Sequence, residues 1–142
     1  MTRCARRWLA GATVAALPVA WWLANLGLGF TPKEPLRDVS TLLILAGAEE
    51  IVFRGGLQAW LARRPMLQAR RFGLSGANVL TSVVFSAAHL WAHPPLLALA
   101  VFPVSLLLGA SFEQGGRLWL PAALHAWFNV ALYAASWLVM AR

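Results

Sequence analysis

The sequence predicts an all-α bundle of about five transmembrane helices, and three observations predict it. Hydrophobic residues fill 60% of the 142 positions and charged residues only 12%, with a mean hydropathy of +0.65; water-soluble domains lie outside that range. The apolar residues gather into five runs of about the 20 residues needed to cross a hydrocarbon core of roughly 30 Å. None of these runs alternates with period two, so helices rather than barrel strands must satisfy the backbone in lipid. The whole chain, 1–142, reads as one transmembrane domain, with 8–30 as a first anchor helix and 39–140 as the core.

The first run, Trp8 to Phe30, follows the cluster Arg3, Arg6 and Arg7. Its basic start and the small residues near Pro18 and Ala20 resemble a signal peptide. Apolar sequence nevertheless continues through Trp21, Trp22, Leu26 and Phe30, too long for the usual hydrophobic region, so an uncleaved anchor is expected. The second run, Val39 to Leu61, is apolar except for Glu49, Glu50 and Arg54. Leu74 to Ala92 carries His89, Leu96 to Phe112 is the cleanest stretch, and Leu118 to Met140 carries His125 and Asn129. The linkers are short and marked by Pro or Gly. They are Thr31 to Asp38 with Pro32 and Pro35, the basic stretch Ala62 to Gly73, His93 to Pro95, and Glu113 to Arg117 with Gly115 and Gly116.

Threaded in this way, Arg3, Arg6, Arg7, Arg63, Arg64, Arg70, Arg71 and Arg117 fall on one side, and Lys33, Arg37 and Arg142 on the other. The positive-inside rule then puts the N-terminus in the cytoplasm and the C-terminus outside. The same charges form short runs and no basic face, so nucleic acid is excluded as a partner. The expected partners are membrane lipids and a membrane-associated protein or peptide. The single cysteine, Cys4, has no partner for an internal disulfide and no metal-site spacing, so it carries no chemistry.

Three charges in the second run are out of place. An ionised side chain at a helix centre costs about 2.5–3.5 kcal/mol on insertion scales, while each large apolar residue returns only about 0.3–0.6 kcal/mol. Glu49, Glu50 and Arg54 together cost on the order of 8 kcal/mol, so this helix requires polar partners from other helices. Glu50 and Arg54 are four residues apart with the acid first, the favourable order for a pair on one helical face. Glu49 is rotated by about 100° from Glu50 and points elsewhere. The economical division makes Glu50 and Arg54 a structural pair and leaves Glu49 for chemistry.

Two further spans carry polar groups at the same four-residue spacing: Phe85 with His89, and His125 with Asn129. Polar groups on three apolar helices can satisfy one another only by converging, which makes a functional interior site the expected outcome. Pro121, four residues before His125, is positioned to kink the last helix.

The motifs Glu49-Glu50-x-x-x-Arg54, Phe85-x-x-x-His89 and His125-x-x-x-Asn129 resemble, in order, those of the CPBP (CAAX protease and bacteriocin-processing, or Abi) family of intramembrane glutamic endopeptidases, similar to type II CAAX prenyl endopeptidases. The resemblance runs from the second span to the fifth. It implies hydrolysis of a peptide bond in a membrane-associated substrate by a glutamate-activated water, in a bacterial inner membrane. Carried over by motif, Glu49 is the base and His89 its partner in orienting the water. His125 and Asn129 stabilise the oxyanion, with Glu50, Arg54 and Phe85 supporting the site. Removal of a C-terminal tail or sorting signal fits a short member, and the substrate need not be prenylated.

Other chemistries fare worse on the residues. His-Glu-x-x-His is absent, Asp38 is the one aspartate, and no Gly-x-Ser-x-Gly elbow occurs, which removes the common zinc, aspartyl and serine arrangements. No cofactor is expected. A zinc-dependent version, with Glu49, His89 and His125 as ligands and an open fourth position, is the alternative within the same protease. His93 is also four residues from His89 but precedes Pro94 at the membrane edge, where an interfacial role is expected. Outside proteolysis, a bacteriocin-immunity or scaffold protein would not need to keep costly polar groups together. A small transporter would line a path to both surfaces, whereas Leu96 to Phe112 offers only Ser105 and Ser111 as polar groups.

Overall fold

Apolar sequence that must satisfy its own backbone becomes helix here, as expected. The computed structural model describes residues 3–31, 33 and 35–142. Pro32 lies outside them, as do the side chains of Arg3, Cys4 and Arg6. Helix α1 runs Arg3–Asn25 and α2 runs Pro35–Glu50. The second rod continues without a break as a π-helix, Ile51–Gln58, and ends in one α turn, α3, Ala59–Leu61. A short hairpin follows, β1 (Arg70–Arg71) against β2 (Leu74–Ser75). Then come α4 (Gly76–His89), α5 (Pro95–Gly115) and α6 (Trp119–Met140). Among the described residues, α5 and α6 are each long and apolar enough to cross a membrane.

The third rod is shorter than its apolar run. Leu74 and Ser75 are taken by the hairpin, and the Ser75 hydroxyl accepts the Asn78 N–H at 3.0 Å, an N-cap that fixes the helix start one residue later. Hydropathy alone could not see that stop. The fourth rod begins at Pro95, where a missing N–H costs nothing, and ends at Gly116, whose φ of 61° supplies the left-handed cap. Pro121 sits in the first turn of α6, before any hydrogen bond needs its nitrogen, a position where a proline does not force a kink.

The chain divides into two compact units, Met1–Gly47 with Ala123–Arg142, and Ala48–Ala122. The core of the first is a seam of small residues. Ala16, Ala20 and Ala24 of α1 pack on Ala131 and Ala135 of α6, flanked by Trp21, Phe128 and Leu132. The four-residue spacing on both sides lets two backbones approach closely, which drives helix association where lipid removes the hydrophobic effect. Polar ties finish it: Trp127 Nε1 donates to the Thr13 carbonyl at 3.0 Å, Phe30 N to Ser136 Oγ at 3.0 Å, and the Tyr133 hydroxyl to Asp38 at 3.1 Å. Gly29 is required there, since a Cβ would lie 2.0 Å from Ser136 Oγ.

The second unit is arranged as a lipid-dissolved protein should be. Glu50, Arg54, Gln58, Asn78, Ser82 and Ser105 are fully buried, while Ile51, Val52, Val79, Val83, Val84 and Leu99 face outward. A soluble protein has the opposite pattern. With the apolar spans α5 and α6, this makes the chain an integral membrane protein.

Candidate active site

The two adjacent glutamates meet different surroundings. Glu50 ends α2 with no exposure and accepts Arg54 Nε at 2.9 Å. The guanidinium passes its second contact across to α5, donating from Nη2 to Ser105 Oγ at 2.9 Å. Ser105 in turn donates to Ser82 Oγ at 3.0 Å, and Ser82 donates to Asn78 Oδ1 at 3.3 Å. Asn78 Nδ2 closes the chain on the Leu106 carbonyl at 2.9 Å. A buried ion pair survives in a low-dielectric interior only with such added hydrogen bonds. This one spans the π-helix, α5 and α4.

Glu49 is half-buried and lies within electrostatic reach of both Arg54 and His93. The charge pairing expected for Glu50 with Arg54 is therefore present, and Glu49 has a different environment. The local backbone is not α-helical: the Ala59 N–H reaches back five residues to the Arg54 carbonyl. A π segment that carries Arg54, Gly55 and Gly56 is the rare geometry that recurs at functional sites.

Phe85 is 1% exposed and stands edge-on to Phe53, with ring centroids 4.7 Å apart at 86°. The Arg54 guanidinium lies over its face at 5.3 Å, so the aromatic of the second motif clasps the cation of the first. One turn on, His89 Nδ1 is 2.8 Å from the Phe85 carbonyl. A carbonyl only accepts, so Nδ1 carries the proton, and in the neutral ring the lone pair belongs to Nε2. That is the tautomer a proton-accepting partner requires. His93, in the turn before α5, is half-buried and stacked on His89 at 5.6 Å and 22°. Desolvation, then the neighbouring His89, hold its pKa below the ordinary 6.5 against the pull of Glu49. Its position before Pro94 gave no hint of this stacking.

A second cluster is built around Glu113, which the sequence places in a linker. Glu113 lies inside α5, with its side chain 10% exposed. It accepts Gln58 Nε2 at 2.9 Å, takes the Ser75 hydroxyl in a short hydrogen bond, and pairs with Arg70 at 3.1 Å. Gln58 Nε2 also donates to the Gly109 carbonyl at 3.2 Å. One carboxylate thus ties the π segment, the hairpin and α5 together. Gln58 and Arg54, four residues apart on a costly span, were the signal that could have found it.

His125 and Asn129 belong to the other unit, one turn apart on α6; His125 is buried and Asn129 half-buried. Among the described residues no three His, Cys, Asp or Glu side chains are grouped to hold a metal ion. What the second unit offers chemically is a half-buried carboxylate, Glu49, within electrostatic reach of His93 and of the fixed Arg54 cation, and a histidine of defined tautomer, His89, stacked on that same His93.

A family model described as Rce1-like, a type II CAAX prenyl endopeptidase, matches residues 31–131. That stretch contains the motifs of Glu49, His89 and His125 together with Asn129. Comparison with curated proteins and with solved structures finds no match.

Proposed function

The chain belongs to the Rce1-like type II CAAX prenyl endopeptidase family, a family of membrane proteases, and from that membership we propose that it is a glutamic endopeptidase cleaving a membrane-associated protein or peptide. The observation that carries the reading is the unequal treatment of two neighbouring carboxylates: Glu50 is paired with Arg54, while Glu49 stands half-buried within electrostatic reach of His93.

In the proposed reaction Glu49 takes a proton from water as the water oxygen bonds to the scissile carbonyl carbon. His89 Nε2 accepts the second hydrogen bond from that water and fixes its direction. The carbonyl oxygen becomes an oxyanion, which His125 and Asn129 stabilise by donating hydrogen bonds, an effect worth several kcal/mol in a preorganised site. The proton held by Glu49 then passes to the leaving nitrogen as the C–N bond breaks. Glu50, Arg54 and Phe85 keep the end of α2 in place. The protein sits in a bacterial inner membrane with its N-terminus cytoplasmic, and its substrate presents an extended tail at the bilayer, with or without a prenyl group.

The test is a comparison of protein termini in membranes from cells carrying the wild-type chain or Glu49→Gln. A set of new C-termini, each with a matching released fragment, should occur with wild type and vanish in the variant, and cleavage in isolated membranes should persist with a zinc chelator. Identical termini in both would overturn the protease mechanism. Loss of cleavage with chelator, restored by zinc, would transfer it to the metal-dependent form.

A further inference from the structure

The basic stretch between α3 and α4 does more than mark topology. Its hairpin tip is Phe72 and Gly73, with φ of 53° and 81°. The left-handed region is unfavourable for a bulky side chain, yet Phe72 occupies it with 103% of its surface exposed. An aromatic held in a strained turn and fully exposed among the described residues is not there for internal packing. Met66 is 84% exposed and Trp60 52% exposed on the segment leading to the hairpin. Arg64 lies over the Trp60 ring at 4.7 Å.

Charge decides what covers this surface. Arg63, Arg64, Arg70 and Arg71 are all exposed. From residue 51 to 122 the sequence contains one acid, Glu113, which is already occupied by Arg70, Gln58 and Ser75. Alternation along β1 sends Arg71 to the side opposite Arg70, so among the described residues of this unit Arg63, Arg64 and Arg71 have no acidic side chain in an ion pair. Aromatic and arginine side chains together are the composition of the bilayer interface, where apolar groups enter the acyl region and cations meet headgroup phosphates.

We propose that Trp60, Met66 and Phe72, with Arg63, Arg64 and Arg71, form an anionic-phospholipid site in which Phe72 inserts below the headgroups. The hairpin is tethered through Arg70 and Glu113 to Gln58 of the π-helix. Lipid bound at its tip therefore fixes the depth of the helix that carries Arg54. The inference does not depend on the protease reading.

The experiment uses the full chain with Cys4→Ser and Phe72→Cys, labelled with a small fluorophore and reconstituted in vesicles of phosphatidylcholine with or without phosphatidylglycerol. With the anionic lipid, nitroxide-labelled acyl chains should quench the probe and aqueous iodide should not. Native mass spectrometry of the detergent-solubilised chain should show phosphatidylglycerol retained over phosphatidylcholine. At about five-fold per arginine, that preference should fall by on the order of a hundred-fold in Arg63→Gln/Arg64→Gln/Arg71→Gln. It should persist when the same three become lysine, and in the Lys33→Gln/Arg37→Gln control. Inorganic phosphate should not displace the lipid. Equal iodide quenching in both vesicle types, an unchanged preference in the triple glutamine variant, or displacement by free phosphate would each overturn the proposal.

Discussion

Gly109→Ala adds a single methyl group where α5 faces two buried amides, and its consequence can be worked from distances. The new Cβ would sit 2.0 Å from Asn78 Oδ1, 2.6 Å from Asn78 Cγ and 2.9 Å from Gln58 Oε1. Neither side chain can yield freely. Asn78 holds the Leu106 carbonyl and Ser82, Gln58 holds the Gly109 carbonyl and Glu113, and both residues have no exposure. Overpacking a tight interior costs about 1–3 kcal/mol, and each buried amide pushed off its partner adds about 1–3 kcal/mol. Against this, Ala in place of Gly within a helix returns about 0.5–1 kcal/mol. The packing terms win, and the net loss should be about 2–8 kcal/mol. Gly11 of α1 is the control, because nothing lies within 4 Å of its Cβ position; Gly11→Ala should gain about 0.5–1 kcal/mol. Unfolding of both variants by SDS titration from mild micelles, followed by far-UV circular dichroism, measures the difference. A Gly109→Ala protein as stable as wild type would refute the buried amide ladder.

Two further perturbations test other parts of the structure. Glu50→Ala leaves Arg54 buried without its counter-ion and should cost about 3–5 kcal/mol, whereas Glu50→Leu with Arg54→Met should recover most of that loss; the same SDS titration compares them, and an equal loss in both would mean the ion pair is not the source. His93 binds its proton less readily in the folded chain than in the unfolded one. Stability should therefore rise with pH through the window from its depressed value up to about 6.5 and level off above it. His93→Gln should flatten that slope, and parallel pH curves for variant and wild type would remove His93 as its origin.

The helices were legible because lipid leaves few options for an apolar run, and Glu50 with Arg54 was legible because a buried charge must find its opposite one turn away. Family motifs pointed to His89, His125 and Asn129. What escaped had a weaker signature. Ser82, Ser105 and Asn78 are too short and neutral to disturb hydropathy, yet they carry the hydrogen bonds that make the Arg54 site affordable. Glu113 stood next to Gly115 and Gly116 and read as loop, although the helix runs through it to its glycine cap. The hairpin was hidden because Leu74 looks like the start of a span until Ser75 is seen to cap it. Wheel arithmetic at 100° per residue also fails beyond Glu50, where the rod becomes a π-helix.

The most direct measurement concerns Glu49 alone. Purified chain in lipid, given a substrate identified by terminal profiling, should lose cleavage by about 10³-fold or more on Glu49→Gln, the scale expected when a general base is removed. Its SDS unfolding curve should stay within about 0.5 kcal/mol of wild type. Cleavage that continues at near wild-type rate in a folded Glu49→Gln protein would contradict the assignment of the catalytic base.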